Sequence, residues 1–238
     1  LTFLMVAATH RIFPEAQIYV DHSLPFGGYF CEVSDRAPLT DDELARLDAE
    51  MRRLVEADLP IHRENNVPLD AALDVFRQHG QSDKATLFEE RDRRSKASVR
   101  LYNLDGYRDY FHGYMVPSTG YLKIFNLQRW ENGFILQFPR RIEPSTLQEL
   151  TRYPQLMHVF REYGNWLRRL GIENVGGLNR AISNSRAREV ILVSEALHEQ
   201  GIANIARQIA NYNDRVRVVL IAGPSSSGKT TFSKRLAV

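Results

Sequence analysis

The feature that most constrains this 238-residue chain is a glycine-rich loop near its carboxyl end. Residues 223–230 read Gly-Pro-Ser-Ser-Ser-Gly-Lys-Thr and match the pattern G-x-x-x-x-G-K-[ST]. An apolar, β-branched run at residues 216–222 precedes the loop, and helix-compatible residues follow it. In a strand–loop–helix unit of this kind, main-chain amides converge on phosphate oxygens at a helix N-terminus. The pattern therefore predicts a phosphate-binding loop at the start of an α/β domain.

The residue types in this loop are those needed to bind a nucleoside triphosphate with magnesium. Gly223 and Gly228 permit backbone angles and a close approach that a side chain would prevent. We expect Lys229 to bridge the β- and γ-phosphates and the Thr230 hydroxyl to bind Mg²⁺, so the predicted cofactors are ATP and Mg²⁺. The predicted nucleotide-binding residues are Gly223, Ser225, Ser226, Ser227, Gly228, Lys229, Thr230 and Thr231.

Composition excludes several classes of protein. The chain is 43% hydrophobic and 25% charged, which is ordinary for globular proteins and disfavours disordered chains and coiled-coil rods. The net charge of +2 is too small to predict a nucleic-acid or membrane partner. The single cysteine, Cys31, excludes an internal disulfide framework, and no apolar stretch is long enough to span a membrane. These features predict a cytoplasmic protein without a membrane partner.

The first part of the chain is predicted to be an α+β domain with an antiparallel sheet. Residues 1–13 read as a helix and residues 16–33 as a hairpin. Thr40 and Glu43 form a capping box, which predicts a helix that starts there and ends near Ala57.

Later segments continue this pattern and then change it. Pro68 and Gly80 bound a further predicted helix, and residues 97–140 are rich in the residue types of antiparallel strands. Beyond them, residues 145–170 and 178–212 read as helices, with breaks expected at Pro154, Gly171, Gly176-Gly177 and Gly201.

This organisation predicts three regions: an α+β domain at residues 1–142, a helical connector at residues 143–213, and the start of an α/β domain at residues 214–238. Both ends of the sequence lack the polar residues of natural termini, which predicts an excised piece of a longer protein. An unfinished sheet ending at residues 216–222 would expose an edge, and self-association through that edge is a hypothesis.

The loop also carries a resemblance to a known family. Residues 222–232, AGPSSSGKTTF, resemble the phosphate loop of the uridine kinase and phosphoribulokinase group, and residues 171–213 resemble the linker of long bacterial uridine kinase-like proteins. The resemblance implies a truncated α/β P-loop kinase domain, from a parent protein that transfers a phosphoryl group from ATP-Mg to a nucleoside hydroxyl. Its implied partners are a nucleotide and a nucleoside. The metal-supporting acid, general base and lid would follow Val238, so we expect these residues alone to be inactive.

A second resemblance covers the first half. Residues 3–140 resemble the second additional domain of threonyl-tRNA synthetases, which alanyl-tRNA synthetases and free-standing editing proteins share. The resemblance runs through residues 27–33, the capped helix at Thr40 and the turn at Val116-Pro117. In that family, an H-x-x-x-H helix and a later C-x-x-x-H motif build the site that removes mischarged amino acids from tRNA.

Only part of that editing site carries over to this sequence. The first helix has Val6 and His10, so one histidine of the pair is retained. Phe111 and Met115 occupy the positions of the later Cys and His, and His112 lies one position from the expected slot. Because a zinc site needs three or four N, S or O ligands, zinc is not expected. The resemblance therefore implies a degenerate editing-like site at His10 and His112.

An aromatic-rich series runs through the predicted strands of the same region. Such rings can stack a nucleic-acid base, although rings spread over strands more often form core and cross-strand pairs. The series comprises Tyr102, Tyr107, Tyr110, Phe111, Tyr114 and Tyr121.

Three functional hypotheses follow. The first is a fragment of an ATP-dependent nucleoside kinase whose synthetase-like domain regulates it or binds a ligand. The alternatives are a non-catalytic module that binds tRNA or a nucleotide, and a residual aminoacyl-tRNA editing hydrolase. On the sequence alone, tRNA is the less favoured partner.

Overall fold

The computed structural model describes residues 1–34, 36–92, 98–212 and 214–238. In it the chain divides into two units, Leu1–Asn179 and Arg180–Val238. The first unit combines helices with antiparallel sheets, which confirms the α+β class predicted for this part of the chain. The predicted region boundaries at residues 142 and 213 stay predictions.

Residues 1–137 contain both helices and strands, and the described elements after residue 137 are helices. In chain order the elements are α1 (Thr2–Ile12), β1 (Gln17–Leu24), β2 (Gly28–Ser34), α2 (Asp41–Glu56), β3 (Ile61–Pro68), α3 (Leu69–Gln78), α4 (Ser82–Asp92), β4 (Ser98–Leu104), β5 (Tyr107–Asp109), a short 3-10 helix (Thr119–Tyr121), β6 (Asn126–Trp130), β7 (Gly133–Gln137), α5 (Pro154–Leu170), α6 (Val175–Ser183), α7 (Ala187–Asn211) and α8 (Lys229–Leu236).

The strands form two antiparallel sheets. Strands β1, β2, β7 and β6 lie side by side in that order in a four-stranded sheet, and β3, β4 and β5 form a three-stranded sheet. The predicted hairpin is the β1–β2 pair. Buried side chains of α1, α2 and both sheets form the main core, whereas α3 and α4 cover a second core on β3 and β4.

The capping box at Thr40 forms as the sequence predicts. The Glu43 amide donates to Thr40 Oγ1 at 3.2 Å, and the Thr40 amide donates to Glu43 Oε2 at 2.9 Å. Both amides lack an intrahelical partner, so the two bonds fix the start of α2. The helix then buries its predicted apolar stripe, which comprises Leu44, Leu47, Met51, Leu54 and Val55.

The ends of two helices bring polar residues towards the three-stranded sheet. His10 lies in the last turn of α1, and His79 is the C-terminal cap of α3. Gly80 follows with a φ of +69°, a left-handed conformation that glycine adopts without a steric penalty and that ends α3 as predicted. The chain then turns directly into α4.

The strand predicted at residues 216–222 is wrong. None of these residues belongs to a strand, and Val218 and Leu220 are 74% and 90% exposed. An isolated extended segment has little stability, because a strand is stabilised by hydrogen bonds to neighbouring strands. The described part of the second unit contains no strand with which residues 216–222 could pair. The sheet edge predicted for self-association is therefore not formed either.

The predicted helices after residue 140 form with different boundaries. The break predicted at Pro154 is confirmed as the start of α5, because proline fits the first helical turn but not an interior position. Residues 145–153, also predicted to be helical, are not in a helix. Residues 178–212 divide between α6 and α7. Among the described helices, none has both the length and the apolar character needed to cross a membrane.

Candidate functional site

Three aromatic rings meet where α1, α3 and β5 come together. The ring centroid of His10 lies 4.7 Å from that of His79 and 5.0 Å from that of Tyr107. His79 and Tyr107 are stacked, with centroids 4.8 Å apart and ring planes 14° from parallel. The two histidines are half-buried and Tyr107 is buried, so only the two imidazole rings are partly exposed to solvent.

The buried carboxylate of Asp109 anchors the rings from the sheet. It accepts hydrogen bonds from Lys84 Nζ at 2.5 Å, from Gln81 Nε2 at 3.0 Å and from the Tyr110 amide at 2.6 Å. The Tyr107 hydroxyl also donates to it at 3.4 Å. A charge removed from water needs such partners, because desolvation alone would cost several kcal/mol. We call His10, His79, Gln81, Lys84, Tyr107 and Asp109 the Asp109 cluster.

Two buried polar atoms of the cluster are unpaired among the residues that the structure describes. They are His79 Nδ1 and Gln81 Oε1. A buried donor or acceptor left unpaired costs about 1–3 kcal/mol, so each such atom in a folded protein needs an explanation. Burial and the nearby Asp109 raise the pKa of Tyr107, so its hydroxyl stays protonated and remains a donor. The cluster thus contains both donors and acceptors in a largely buried setting.

The structure separates the two histidines predicted for the editing-like site. His10 joins the Asp109 cluster, whereas His112 is exposed and its Nε2 lies 3.0 Å from the Tyr110 hydroxyl. Tyr110 in turn packs edge-on against Phe88 of the second core. The sequence missed His79, which supplies the second imidazole beside His10 from a different helix.

Apolar side chains fill the other expected ligand positions. Val6, Phe111 and Met115 all pack against the main core. The Phe111 ring lies 5.4 Å from the Phe3 ring and 5.4 Å from Lys84 Nζ. Among the described residues, no group of three or more His, Cys, Asp or Glu side chains is placed to hold a metal ion.

Four residues of the cluster were not predicted as site residues: His79, Gln81, Lys84 and Asp109. One signal was present in the sequence, since Tyr107 and Asp109 are two residues apart in a strand and so share a face. An acidic side chain on the same face as a buried tyrosine is itself expected to be buried, and a buried carboxylate is stabilised by a positively charged partner. The sequence did not show that Lys84 would supply it.

The aromatic series divides between core and surface. Tyr102 and Tyr107 are buried in the main core, as expected for cross-strand rings. Tyr114 and Tyr121 are 89% and 69% exposed. Their rings are therefore available to a partner.

The lysine of the glycine-rich loop in the second unit is hydrogen-bonded to the main chain of the same loop. Lys229 Nζ donates to the carbonyl oxygens of Gly223 and Pro224 at 3.0 and 2.6 Å. Ser226 and Gly228 have left-handed φ values of +59° and +78°, and Gly228 caps the N-terminus of α8. Ser225, Ser227, Thr230 and Thr231 are exposed around this turn.

Replacing Lys84 with methionine tests the role of the buried ion pair. Lys84→Met leaves the Asp109 carboxylate buried without its cation, and we expect a loss of about 3 kcal/mol in the free energy of unfolding. Urea denaturation of the full chain measures this loss. The matched variant Lys123→Met changes an exposed lysine and should change stability by less than about 0.5 kcal/mol. Equal losses in both variants would contradict the assignment.

The His79 environment predicts a pH dependence of stability. Burial, followed by the charge of His10, lowers the pKa of His79 below its ordinary value of 6.5. Asp109 and the main chain at Arg108 oppose this shift, and Lys84 adds to it. The unfolded chain then takes up a proton more readily than the folded one, so stability is present above pH 6.5 and is lost as the pH falls below it.

His79→Gln should therefore flatten the decline in stability between pH 7.5 and 5.5, measured as urea midpoints. His112→Gln, at an exposed histidine, should leave the decline unchanged. A decline in His79→Gln as steep as that of the parent chain would show that other groups cause it.

Comparison with curated proteins finds threonine–tRNA ligases. The chain is 32% identical to the ligase of Laribacter hongkongensis over 126 residues, which are 53% of this chain and 19% of the ligase. It is 34% identical to the ligase of Polynucleobacter asymbioticus over 126 residues, with the same coverage. It is 33% identical to that of Polynucleobacter necessarius over 164 residues, 67% of this chain and 25% of the ligase. No protein-family model matches the chain.

These findings correct the kinase hypothesis. The relatives are threonine–tRNA ligases rather than kinases, and they support the synthetase-like part of the chain. The kinase, transferase and P-loop assignments gain no support, and the strand expected before the loop is not formed. The chain spans between 19% and 25% of the length of these ligases. Part of this chain is thus similar to a segment of threonine–tRNA ligases.

Proposed function

We propose that the first unit is a non-catalytic module that binds tRNA. The observation that carries the proposal is the similarity to threonine–tRNA ligases at 32–34% identity over 126 residues. Similarity at this level over more than half of the chain favours a shared fold, and the α+β unit with its two antiparallel sheets agrees with that. The activity of the ligases as a whole is not proposed for this chain.

The Asp109 cluster is the part of the unit best suited to the end of a tRNA. The 3′-terminal ribose of tRNA carries hydroxyl groups that both donate and accept hydrogen bonds. The His10 and His79 side chains are half-buried, and Lys84 supplies a positive charge that is only partly covered. The exposed parts of these three side chains can contact ribose hydroxyls or a linked amino acid.

The same cluster supports binding rather than hydrolysis. Activation of a water molecule needs a positioned base or a metal ion. The residues at the expected ligand positions are Val6, Phe111 and Met115, which offer neither. His79 is stacked on Tyr107 and His10 packs against both rings, and neither histidine forms an ion pair with a carboxylate among the described residues. We therefore propose that the cluster binds tRNA and does not hydrolyse aminoacyl-tRNA.

The full chain should bind tRNA with an affinity that falls as the salt concentration rises, measured by fluorescence anisotropy. His10→Phe keeps a ring against Tyr107 but removes its hydrogen-bonding nitrogens, and we expect it to weaken binding about three- to tenfold. The matched variant His158→Phe, at an exposed histidine of α5, should bind like the parent chain.

Two results would contradict this proposal. One is the absence of tRNA binding at any salt concentration. The other is deacylation of aminoacyl-tRNA faster than in buffer and lost in His10→Phe, which would favour the editing hydrolase instead.

We also propose that the glycine-rich loop of the second unit binds a phosphate group. The turn around Lys229 supports this, since left-handed residues within a turn can form a nest of main-chain amides that binds an anion. The proposed site comprises Gly223, Ser225, Ser226, Ser227, Gly228, Lys229, Thr230 and Thr231. ATP with Mg²⁺ at the Thr230 hydroxyl is the expected ligand, and the proposal is restricted to binding.

Lys229→Ala should weaken binding of ATP-Mg and of inorganic triphosphate at least tenfold, because it removes the cation of the loop. Isothermal titration calorimetry of the full chain measures both ligands. Lys234→Ala changes an exposed lysine of the same helix and serves as the control. Equal affinities in Lys229→Ala and the parent chain would rule out the site.

A further inference from the structure

A cavity lies between the β1–β2 hairpin and helix α5 within the first unit. Its volume is about 610 Å³, which is within the range of small-molecule sites. Met157 in the first turn of α5 forms a small core with Phe30 and Trp130, so the helix is packed closely on the sheet at that point. The cavity extends along the helix from Met157 to Arg168, and none of the described residues that line it belongs to the Asp109 cluster.

A glycine in the middle of α5 leaves space between the helix and the sheet. A Cβ atom at Gly164 would lie 3.9 Å from Nη2 of Arg168, so the position has room for a side chain. Because glycine is a poor helix former, packing and helix stability would both favour a larger residue here. The side of α5 that lines the cavity has residues three or four positions apart and therefore on one helix face: Met157, Phe160, Arg161, Gly164, Leu167 and Arg168.

A β-bulge in β1 places a histidine in the wall of this cavity. Tyr19 is paired with Glu32 and His22 with Phe30, so Asp21 is the additional residue of the bulge. The extra residue keeps His22 on the same face of the sheet as Tyr19. His22 Nδ1 lies 2.7 Å from Asp21 Oδ2, and this contact fixes the orientation of the imidazole ring.

Aromatic rings form much of the cavity wall. The His22 ring is stacked on Phe160, with centroids 4.0 Å apart and ring planes 9° from parallel, and it lies 5.4 Å from the Phe30 ring. Tyr19 adds a ring from the sheet and Tyr163 adds one from the helix. The faces of phenylalanine and tyrosine rings attract organic ammonium ions, because they carry a negative partial charge. Such a wall favours a cation with an apolar body.

The carboxylates of the cavity favour a cation as well. Asp21, Glu32 and Glu173 line it. Burial, followed by the charges of Asp21 and Glu173, raises the pKa of Tyr19. The Tyr19 hydroxyl is therefore in a negative electrostatic potential.

Two arginines also line the cavity, and both have partners. Arg161 is ion-paired with Glu131, and Arg168 Nη2 donates to Asn165 Oδ1 at 2.9 Å. The charge of Arg168 opposes the effect of the carboxylates on Tyr19 only in part. Including Glu131, four carboxylates accompany two guanidinium groups, so this group of side chains has a net negative charge whether or not His22 is protonated.

We propose that this cavity binds a small organic ammonium ion with an apolar or aromatic body. The ammonium group lies near the carboxylates of Asp21 and Glu173 and the ring of Tyr19, and the apolar body occupies the space beside Gly164. The proposal does not depend on the proposed binding of tRNA, since the two sites have no residue in common.

Three ligands of similar size and different charge test the proposal. They are 2-phenylethylamine, 2-phenylethanol and 3-phenylpropionate, and titrations of the isotope-labelled full chain followed by NMR give their dissociation constants. We expect the amine to bind about fivefold more tightly than the alcohol, and the carboxylate to bind more weakly than both. The amides whose signals shift should lie in residues 19–34 and 157–168.

Gly164→Leu tests the position of the site, because leucine fills the space beside α5. We expect it to weaken binding of the amine about tenfold. The midpoint of thermal unfolding should not fall, because leucine forms helices better than glycine. The matched variant Gly201→Leu changes a glycine of α7 that also has room for a side chain, and it should bind like the parent chain. Asp21→Asn should weaken binding of the amine but not of the alcohol.

Two kinds of result would overturn the proposal. Equal affinities for the amine and the alcohol, or tightest binding of 3-phenylpropionate, would show that the cavity does not select a cation. Unchanged affinity for the amine in Gly164→Leu, or no binding of any of the three ligands, would show that the cavity is not the site. Neither result would affect the proposed binding of tRNA, which is measured separately.

Discussion

The buried carboxylate of Asp109 is the constraint on which the rest of the site depends. A full charge that is shielded from water is stable only where several donors surround it. Here the donors come from the start of α4, from the turn after α3 and from the chain after β5. To bring them together, the α3–α4 turn must lie against the three-stranded sheet. That position places His79 beside His10 and Tyr107, so one electrostatic requirement assembles the ring cluster as well.

The same arrangement bears on the proposal of binding without hydrolysis. The positions that would carry the reactive side chains hold Val6, Phe111 and Met115, which extend the main core instead. The polar groups around Asp109 come from other positions of the chain, and one of them, Lys84, also contacts the Phe111 ring. A site with hydrogen-bonding groups but without a metal-ligand set or an activated base among its described residues can bind a ligand without catalysing a reaction.

Sequence reasoning succeeded where the signal was local. The capping box at Thr40 and the left-handed Gly80 are set by a few neighbouring residues, and both occur as predicted. Residues 216–222 show the limit of this reasoning. Their β-branched pattern is compatible with a strand, but a strand also needs a neighbour, and the described part of the second unit provides none.

The candidate site was less predictable for a related reason. His10 could be identified because a resemblance supplied its motif, whereas His79, Lys84 and Asp109 are 69 to 99 positions further along the chain. Their proximity results from strand register and from a turn at glycine, which no periodicity in the sequence encodes. The resemblance of the glycine-rich loop to kinases was specific in its residues but local, and the longer match to threonine–tRNA ligases outweighs it.

The proposed function places tRNA in contact with the first unit at the Asp109 cluster. Hydrogen–deuterium exchange of the full chain, with and without tRNA, tests this contact most directly, because the main-chain amides in and beside the cluster exchange more slowly when a ligand covers them. We expect slower exchange at residues 79–84 and 107–115 when tRNA is present, with no change at residues 223–231. Protection confined to residues 223–231, or unchanged exchange at residues 79–84 and 107–115 with tRNA bound, would contradict it.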